Sequence, residues 1–321
     1  MIARRGIVIH AQDCGDYWAD RLEKSGLNVV GVHPAGGIDA HRSLEDCIRF
    51  LGTEDWRRFA SRMERAGIAV EFEMHALSWL LERDLFSSHP DWFRMEESGE
   101  RTPHFNACAS NPDALDHIRE RAAALARIFR PDTHNYHFWI DDVASAGCAC
   151  PRCRSLSASD QAVILYSAIA DGVTAVDPAA RVSYLAYCET LKLPETVQPD
   201  ARLFLEFAPI SRDFDHSLFD PASEKNAAQI AHLPALLDLF GRRDAKVLDY
   251  WVDNSLFSGW QLPPKEFRLR AEVCHADVQA YRALGFEAIT SFGCFLGENY
   301  RALWGDADLD EYYRILLETQ D

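Results

Sequence analysis

Eight short β-like runs separated by amphipathic stretches constrain this chain more than any other feature. The runs are 6–11, 27–33, 68–75, 134–142, 181–188, 202–208, 245–252 and 286–293. Most are rich in the branched and aromatic residues that suit a buried, pleated surface. Between them, apolar residues recur at helical spacing near 16–25, 54–66, 112–129, 159–176, 223–241, 266–284 and 307–318. Asn111-Pro112-Asp113 supplies a helix N-cap, a proline for the first helical position and an acid for the first turn. Gly26, Gly67 and Gly285 each stand between a helix and the next strand, where a left-handed C-cap is needed. Alternation repeated eight times predicts a single α/β domain over residues 1–321, a (β/α)8 TIM barrel with long loops after strands 3 and 4. A doubly wound open sheet is the weaker alternative, because no G-x-G-x-x-G follows the first run. The connection from 76 to 111 is expected to cover the barrel top.

The chain has 321 residues, 48% of them hydrophobic and 26% charged, which fits a soluble globular protein with a substantial core. Its formal net charge of −17 repels phosphate backbones and anionic lipid, so neither nucleic acid nor a membrane is an expected partner. The run Ile7-Val8-Ile9 is too brief for a signal-peptide core, and the cytoplasm is the expected compartment. Nine cysteines, an odd number scattered along the chain, point to reduced thiols or a metal site rather than a disulfide framework.

In a barrel of this kind the last residues of each strand face the active site. Read in order they form a polar ring: His33 after strand 2, Glu73 and His75 on strand 3, Asp141 and Asp142 on strand 4. Tyr187 and Glu189 follow strand 5, Glu206 lies on strand 6, Asp249, Trp251, Asp253 and Trp260 belong to strand 7 and its loop, and Glu298 follows strand 8. Glycosidases place two carboxyl groups about the scissile bond, one as acid and one as base or nucleophile. Asp142, directly before a loop, is the expected acid. Glu206, an isolated carboxylate in the apolar run Leu203-Phe204-Leu205-Glu206-Phe207, is its expected partner. Asp141 is expected to hold Asp142 or to contact substrate, and the other ring residues to bind substrate. Glu71 and Glu73 are equally well read as ion-paired groups inside the barrel. The aromatic rings suit sugar faces and suit an ordinary core equally.

Cys148-Ala149-Cys150-Pro151-Arg152-Cys153 follows the two aspartates within a few residues. C-x-C-x-x-C has the tight spacing of thiolate ligands, and a tetrahedral metal needs a fourth. Cys108 is the natural choice, since the loop after strand 3 neighbours the loop after strand 4. A four-cysteine site would be a structural zinc; three reduced thiols or one local disulfide is the plain alternative.

The order His89-Pro90-Asp91-Trp92-Phe93, Gly99-Glu100-Arg101, Cys108-Ala109-Ser110-Asn111-Pro112, Asp142, the cysteine loop and Ser183-Tyr184-Leu185-Ala186-Tyr187 resembles a known group. It is similar to a bacterial domain-of-unknown-function family of glycosidase-like barrels from polysaccharide-utilisation contexts, itself like α-glucuronidase and β-hexosaminidase barrels. The resemblance covers roughly residues 65–210. It implies a carbohydrate-active barrel. Relatives often pair Asp with Glu at the strand-4 position, where this chain has Asp141-Asp142. They are also expected to be longer, with flanking β domains and export signals, so an imported oligosaccharide or small glycoside is the expected substrate here. The expected function is therefore glycoside hydrolysis with no cofactor required for the chemistry. Two alternatives stand beside it. One is a metal-dependent sugar isomerase or epimerase using Glu73, His75, Asp142, Glu206 and Asp249 as hard ligands. The other is a sugar-binding barrel without catalysis. The sequence carries no sign of oligomeric state.

Overall fold

The computed structural model describes residues 2–144 and 147–318 and contains eight strands. These are β1 (Arg4–His10), β2 (Val29–His33), β3 (Ala69–His75), β4 (Asn135–Trp139), β5 (Arg181–Ala186), β6 (Leu203–Phe207), β7 (Lys246–Asp249) and β8 (Ala288–Phe292). They pair in chain order and close into a (β/α)8 barrel, β8 returning to β1 in parallel from Arg4↔Ala288 to Val8↔Phe292. Every strand falls on a run expected from sequence, and the trimming at β4 matters most. The run 134–142 ends its pairing at Trp139, because Ile140 N–H donates to Tyr166 Oη at 3.3 Å and Val143 N–H turns back to Asp141 O at 3.0 Å. Asp141 and Asp142 thus stand in the loop, free of the strict alternation of a strand.

Helices occupy the expected stretches at Asp16–Ser25, Glu54–Ala66, Pro112–Ile128, Ala158–Thr174, Ala271–Leu284 and Asp310–Leu317. The stretch 223–241 divides into Glu224–Ile230 and Leu233–Phe240, since Pro234 has no N–H with which to continue a helical ladder. Helix Ala40–Leu51 lies outside the expected stretches, although Ala40, Leu44, Cys47, Ile48 and Leu51 recur at helical spacing; Ala40, Leu44 and Cys47 are its buried residues. The connection 76–111 is filled by short helical turns at Leu77–Leu80, Arg83–Ser87 and Pro90–Trp92 and by the bridges Phe93↔Ala107 and Met95↔Arg101. Among the described residues no helix is long and apolar enough to cross a membrane.

The caps follow the sequence. Asn111 Oδ1 accepts from Ala114 N–H at 3.1 Å. Gly26, Gly67 and Gly285 close their helices at φ of 71°, 70° and 86°. A Cβ on Gly67 would meet nothing within 4 Å, so only the backbone opposes one. Gly67→Ala is therefore expected to cost about 1–2 kcal/mol, the strain of a left-handed alanine. Urea denaturation measures it, and a loss below about 0.3 kcal/mol would show that the turn relaxes out of the left-handed region.

Contacts divide the chain into two compact units, one of residues 1–33, 50–70 and 206–321, the other of 34–49 and 71–205. In the first, β1 pairs with β2 from Gly6↔Val29 to His10↔His33, and Ile7, Ile9, Val30, Val247 and Ile289 are wholly buried. In the second, helices 112–128 and 158–174 approach so closely that a Cβ at Gly172 would lie 2.1 Å from Arg119 O. That unit also buries charge. Glu73 of β3 is in register with His137 of β4, and Glu71 Oε2 lies 3.3 Å from His137 Nε2. Thr133 Oγ1 donates to Glu71 Oε1 at 2.7 Å. Burying the Glu71 carboxylate is tolerable because a hydroxyl and an imidazole meet it.

Candidate active site

Asp141 and Asp142 are neighbours with opposite circumstances. Asp141 is buried and accepts three hydrogen bonds, from Ser78 N–H at 2.9 Å, Arg83 Nη2 at 2.8 Å and Asn106 N–H at 2.6 Å. Its own N–H donates to Asn106 Oδ1 at 3.0 Å. Asp141 therefore ties the loop after β3 to the end of β4. Asp142 is half-buried, and its Oδ1 accepts from Tyr187 Oη at 3.1 Å. Burial and then the Asp142 charge hold the Tyr187 hydroxyl well above the usual tyrosine range, so it stays a donor.

His75 stands beside this pair. Its Nδ1 is 2.7 Å from Ile140 O, and a carbonyl only accepts, which assigns the proton to Nδ1. Gly36, in the loop after β2, presses on both groups: a Cβ there would lie 2.8 Å from Asp142 Oδ2 and 2.9 Å from His75 Cδ2. Gly36→Ala must push one of them aside. It is expected to cost about 1–3 kcal/mol of stability while the protein stays folded, the usual result of forcing an extra methyl into a filled space. A change under about 0.5 kcal/mol in urea denaturation would show that the loop after β2 yields without displacing either group.

A cleft opens alongside, lined by His75, Ile140, Asp141, Gln161, Tyr187 and Glu189 among others, with an enclosed interior of ≈ 50 Å³. At roughly 10–15 Å³ per water, that interior takes a few waters and no sugar ring. Glu189 is half-buried on the turn Cys188–Leu191. Cys188 is held at φ 51°, and the single Thr190 hydroxyl proton is shared between the carbonyls of Leu185 and Tyr187, each 2.8 Å from Oγ1. A side chain presented on so constrained a turn is well fixed.

The candidates on the other unit are placed differently. Glu206 is wholly buried, with its Oε1 3.2 Å from Lys246 Nζ. Asp249 is buried against Arg212 Nη1 at 3.1 Å and accepts from Tyr281 Oη at 3.0 Å. Trp251 Nε1 donates to Asp277 Oδ2 at 2.9 Å, and Arg212 Nη2 reaches the same oxygen at 2.6 Å. Asp249 and Trp251 therefore belong to one buried network. Asp253 caps the turn Asn254–Phe257, accepting from Ser255 N–H at 3.0 Å and Leu256 N–H at 3.3 Å, and burial pushes its carboxyl up to about 6. Trp260 is 63% exposed. His33 is buried, its carbonyl 3.3 Å from His10 Nδ1 and its ring stacked on that of His10. Glu298 lies on the surface, 3.7 Å from Arg301 Nη1.

His75, Asp141, Tyr187 and Glu189 are thus brought together at the cleft, with Asp142 tethered to Tyr187 beside them, whereas Glu73 lies with Glu71 and His137. Ser78, Arg83, Asn106, Gln161 and Gly36 had no signal as functional positions; only the Gly36-Gly37 pair after β2 hinted at a close approach. The four cysteines named from sequence also meet: the sulfurs of Cys108, Cys148, Cys150 and Cys153 all lie within 4.8 Å of one another and are buried, a set able to hold a metal ion.

A closed parallel barrel with carboxyl groups in the loops after its strands is the architecture of glycosidase-like (β/α)8 proteins. The structure is similar to a Bacteroidetes-affiliated GH5 cellulase linked with a polysaccharide utilization locus, with TM-score 0.53 and 12% identity over 100% of this chain and 92% of that one. It is similar to a mutant O-GlcNAc hydrolase of Thermobaculum terrenum at TM-score 0.54 and 11% identity, covering 98% and 59%. A tri-modular GH5 endo-β-1,4-glucanase of Bacillus licheniformis aligns at TM-score 0.52 and 10% identity, covering 98% and 59%. At such identities the likeness is one of fold. No curated protein matches in sequence. The model of a family described as a domain of unknown function, DUF4838, matches residues 48–237, and the chain belongs to that family.

Proposed function

We propose that this protein is a glycoside hydrolase acting on an oligosaccharide or small glycoside, with Asp142 as the general acid. The observation that carries the reading is the contrast at the end of β4. Asp141 is engaged in five hydrogen bonds, while Asp142 has one tether among the described residues, from Tyr187 of the cleft wall, and stands beside His75. A general acid needs to be held and reachable, and Asp142 is both. For the second carboxyl, the placement of Glu189 at the cleft favours it over Glu206, which lies wholly buried against Lys246. Hydrolysis between carboxyl groups calls for no cofactor, so the cysteine cluster belongs to the scaffold and not to the chemistry. Metal-dependent isomerisation is less favoured, because Asp249 is engaged with Arg212 and Glu206 with Lys246.

A screen of aryl glycosides and oligosaccharides tests the reading, and no turnover of any of them would sink it. On a substrate so found, Glu189→Gln is expected to lower kcat about 10²–10³-fold. Glu206→Gln is expected to act on stability, costing about 3 kcal/mol, because it removes the carboxylate that meets a buried ammonium. Loss of turnover in a fully stable Glu206→Gln protein would return the second catalytic role to Glu206.

A further inference from the structure

We propose that Cys108, Cys148, Cys150 and Cys153 bind one zinc ion, and that this closed site clamps the loop that carries Asp141 and Asp142. The metal site stands apart from the hydrolase reading; the importance of what it clamps rests on that reading. Cys108 Sγ is 3.7 Å from Cys150 Sγ and 3.8 Å from Cys153 Sγ. A disulfide would bring two sulfurs to about 2.05 Å. A tetrahedron with metal–sulfur bonds of about 2.3 Å has sulfur–sulfur edges near 3.8 Å.

The surroundings favour thiolates over four bare thiols. Met95 N–H donates to Cys148 Sγ at 3.3 Å, and Ser110 Oγ lies 3.1 Å from Cys153 Sγ. A backbone N–H aimed at a ligand sulfur, like that of Met95, is what a zinc site uses to spread its negative charge. Soft sulfur ligands in a tetrahedral set select zinc over hard ions. Four protein ligands leave no open position for substrate, so the site is structural.

The cluster joins two loops. Cys108 follows β3 and the other three cysteines follow β4. Ala149 N–H donates to Met95 O at 2.8 Å and Cys108 N–H to Trp92 O at 2.9 Å, so the loop after β3 is fastened on both sides of the sulfurs. Gln161 grips the second loop from helix 158–174, accepting from Cys148 N–H at 2.7 Å. Two residues before Cys108, Asn106 exchanges hydrogen bonds with Asp141 at 2.6 and 3.0 Å. The path from the sulfurs to the acid is therefore short: Cys108, Asn106, Asp141, Asp142.

Elemental analysis of the full chain, purified under reducing conditions, is expected to find one zinc per molecule. Replacement by cobalt(II) is expected to give sulfur-to-cobalt charge-transfer bands and the intense visible absorption of a tetrahedral site. A chain that holds iron in place of zinc, or that takes up neither zinc nor cobalt, overturns the metal assignment. Cys47→Ser, a buried thiol outside the cluster, should keep its zinc. Cys150→Ser should lose it, and if that variant fails to fold the cobalt spectrum of the native chain still decides. For the clamp, zinc is stripped with a mercurial and a chelator and amide exchange is followed. Segments 92–110 and 147–156 should exchange at least about 10-fold faster while β1, β7 and β8 do not change, the mark of a local unit letting go. No change in those segments, or loss of protection everywhere, overturns it. None of these readouts needs a substrate, so zinc without glycoside turnover would remove the hydrolase reading and leave this one standing.

Discussion

Asp142→Asn is expected to reduce glycoside turnover about 10³–10⁴-fold, the upper part of what a general acid contributes. An amide keeps the volume and still accepts from Tyr187 Oη through its carbonyl, so the hydrogen bond now at 3.1 Å can persist. It has no proton to give a leaving oxygen. Because Asp142 is half-buried rather than enclosed, its stability should change by less than about 1 kcal/mol. Two controls sharpen the result. Aryl substrates whose leaving groups need no protonation should lose much less rate than alkyl glycosides, the signature of a missing acid. Asp141→Asn should instead cost stability, since that carboxylate is met by Arg83 at 2.8 Å and two backbone N–H groups. An Asp142→Asn protein with native turnover on every substrate would end its candidacy.

Arg212→Met is expected to cost about 5 kcal/mol, the high end for breaking a buried ion pair, because this arginine serves two carboxylates. Arg212, Asp249 and Asp277 have no exposed side-chain surface. Nη1 meets Asp249 at 3.1 Å and Nη2 meets Asp277 at 2.6 Å, so the substitution leaves two negative charges inside the protein without their cation. Asp277 also accepts from Ser217 Oγ and Leu218 N–H, both at 2.7 Å, so the loop after β6 should detach from helix 271–284. Arg212→Lys should rescue little, since one ammonium cannot reach both partners as a fork does. Chemical denaturation measures both variants. A loss under about 2 kcal/mol for Arg212→Met would mean that water or a shifted side chain compensates the aspartates.

What was legible in the sequence was local. The strands, the Asn111 cap and the C-caps at Gly26, Gly67 and Gly285 each depend on a few consecutive residues, and all stand where the pattern put them. The meeting of Cys108 with Cys148, Cys150 and Cys153 was also legible, because consecutive barrel loops are neighbours. The roles of single carboxylates were not. Nothing near Glu206 announces Lys246, far along the chain, and nothing near Asp249 announces Arg212 or Asp277. An acid in an apolar strand reads the same whether its partner is a substrate or a distant cation. The difference between Asp141 and Asp142 was hidden for the same reason: Ser78, Arg83 and Asn106 lie on a different loop. Helix Ala40–Leu51 was legible in principle, since Ala40, Leu44, Cys47, Ile48 and Leu51 recur at helical spacing, and it was missed.

The two oxygens of Asp142 have separate surroundings, and this bears on how the site would reset after each reaction. Tyr187 occupies Oδ1, while Oδ2 is the oxygen that faces the bare backbone of Gly36. If Asp142 is the acid, a proton lost from Oδ2 to a departing alcohol, and later regained from an incoming water, would not have to displace the tether on Oδ1. The side chain can therefore pass through both protonation states without swinging away between rounds.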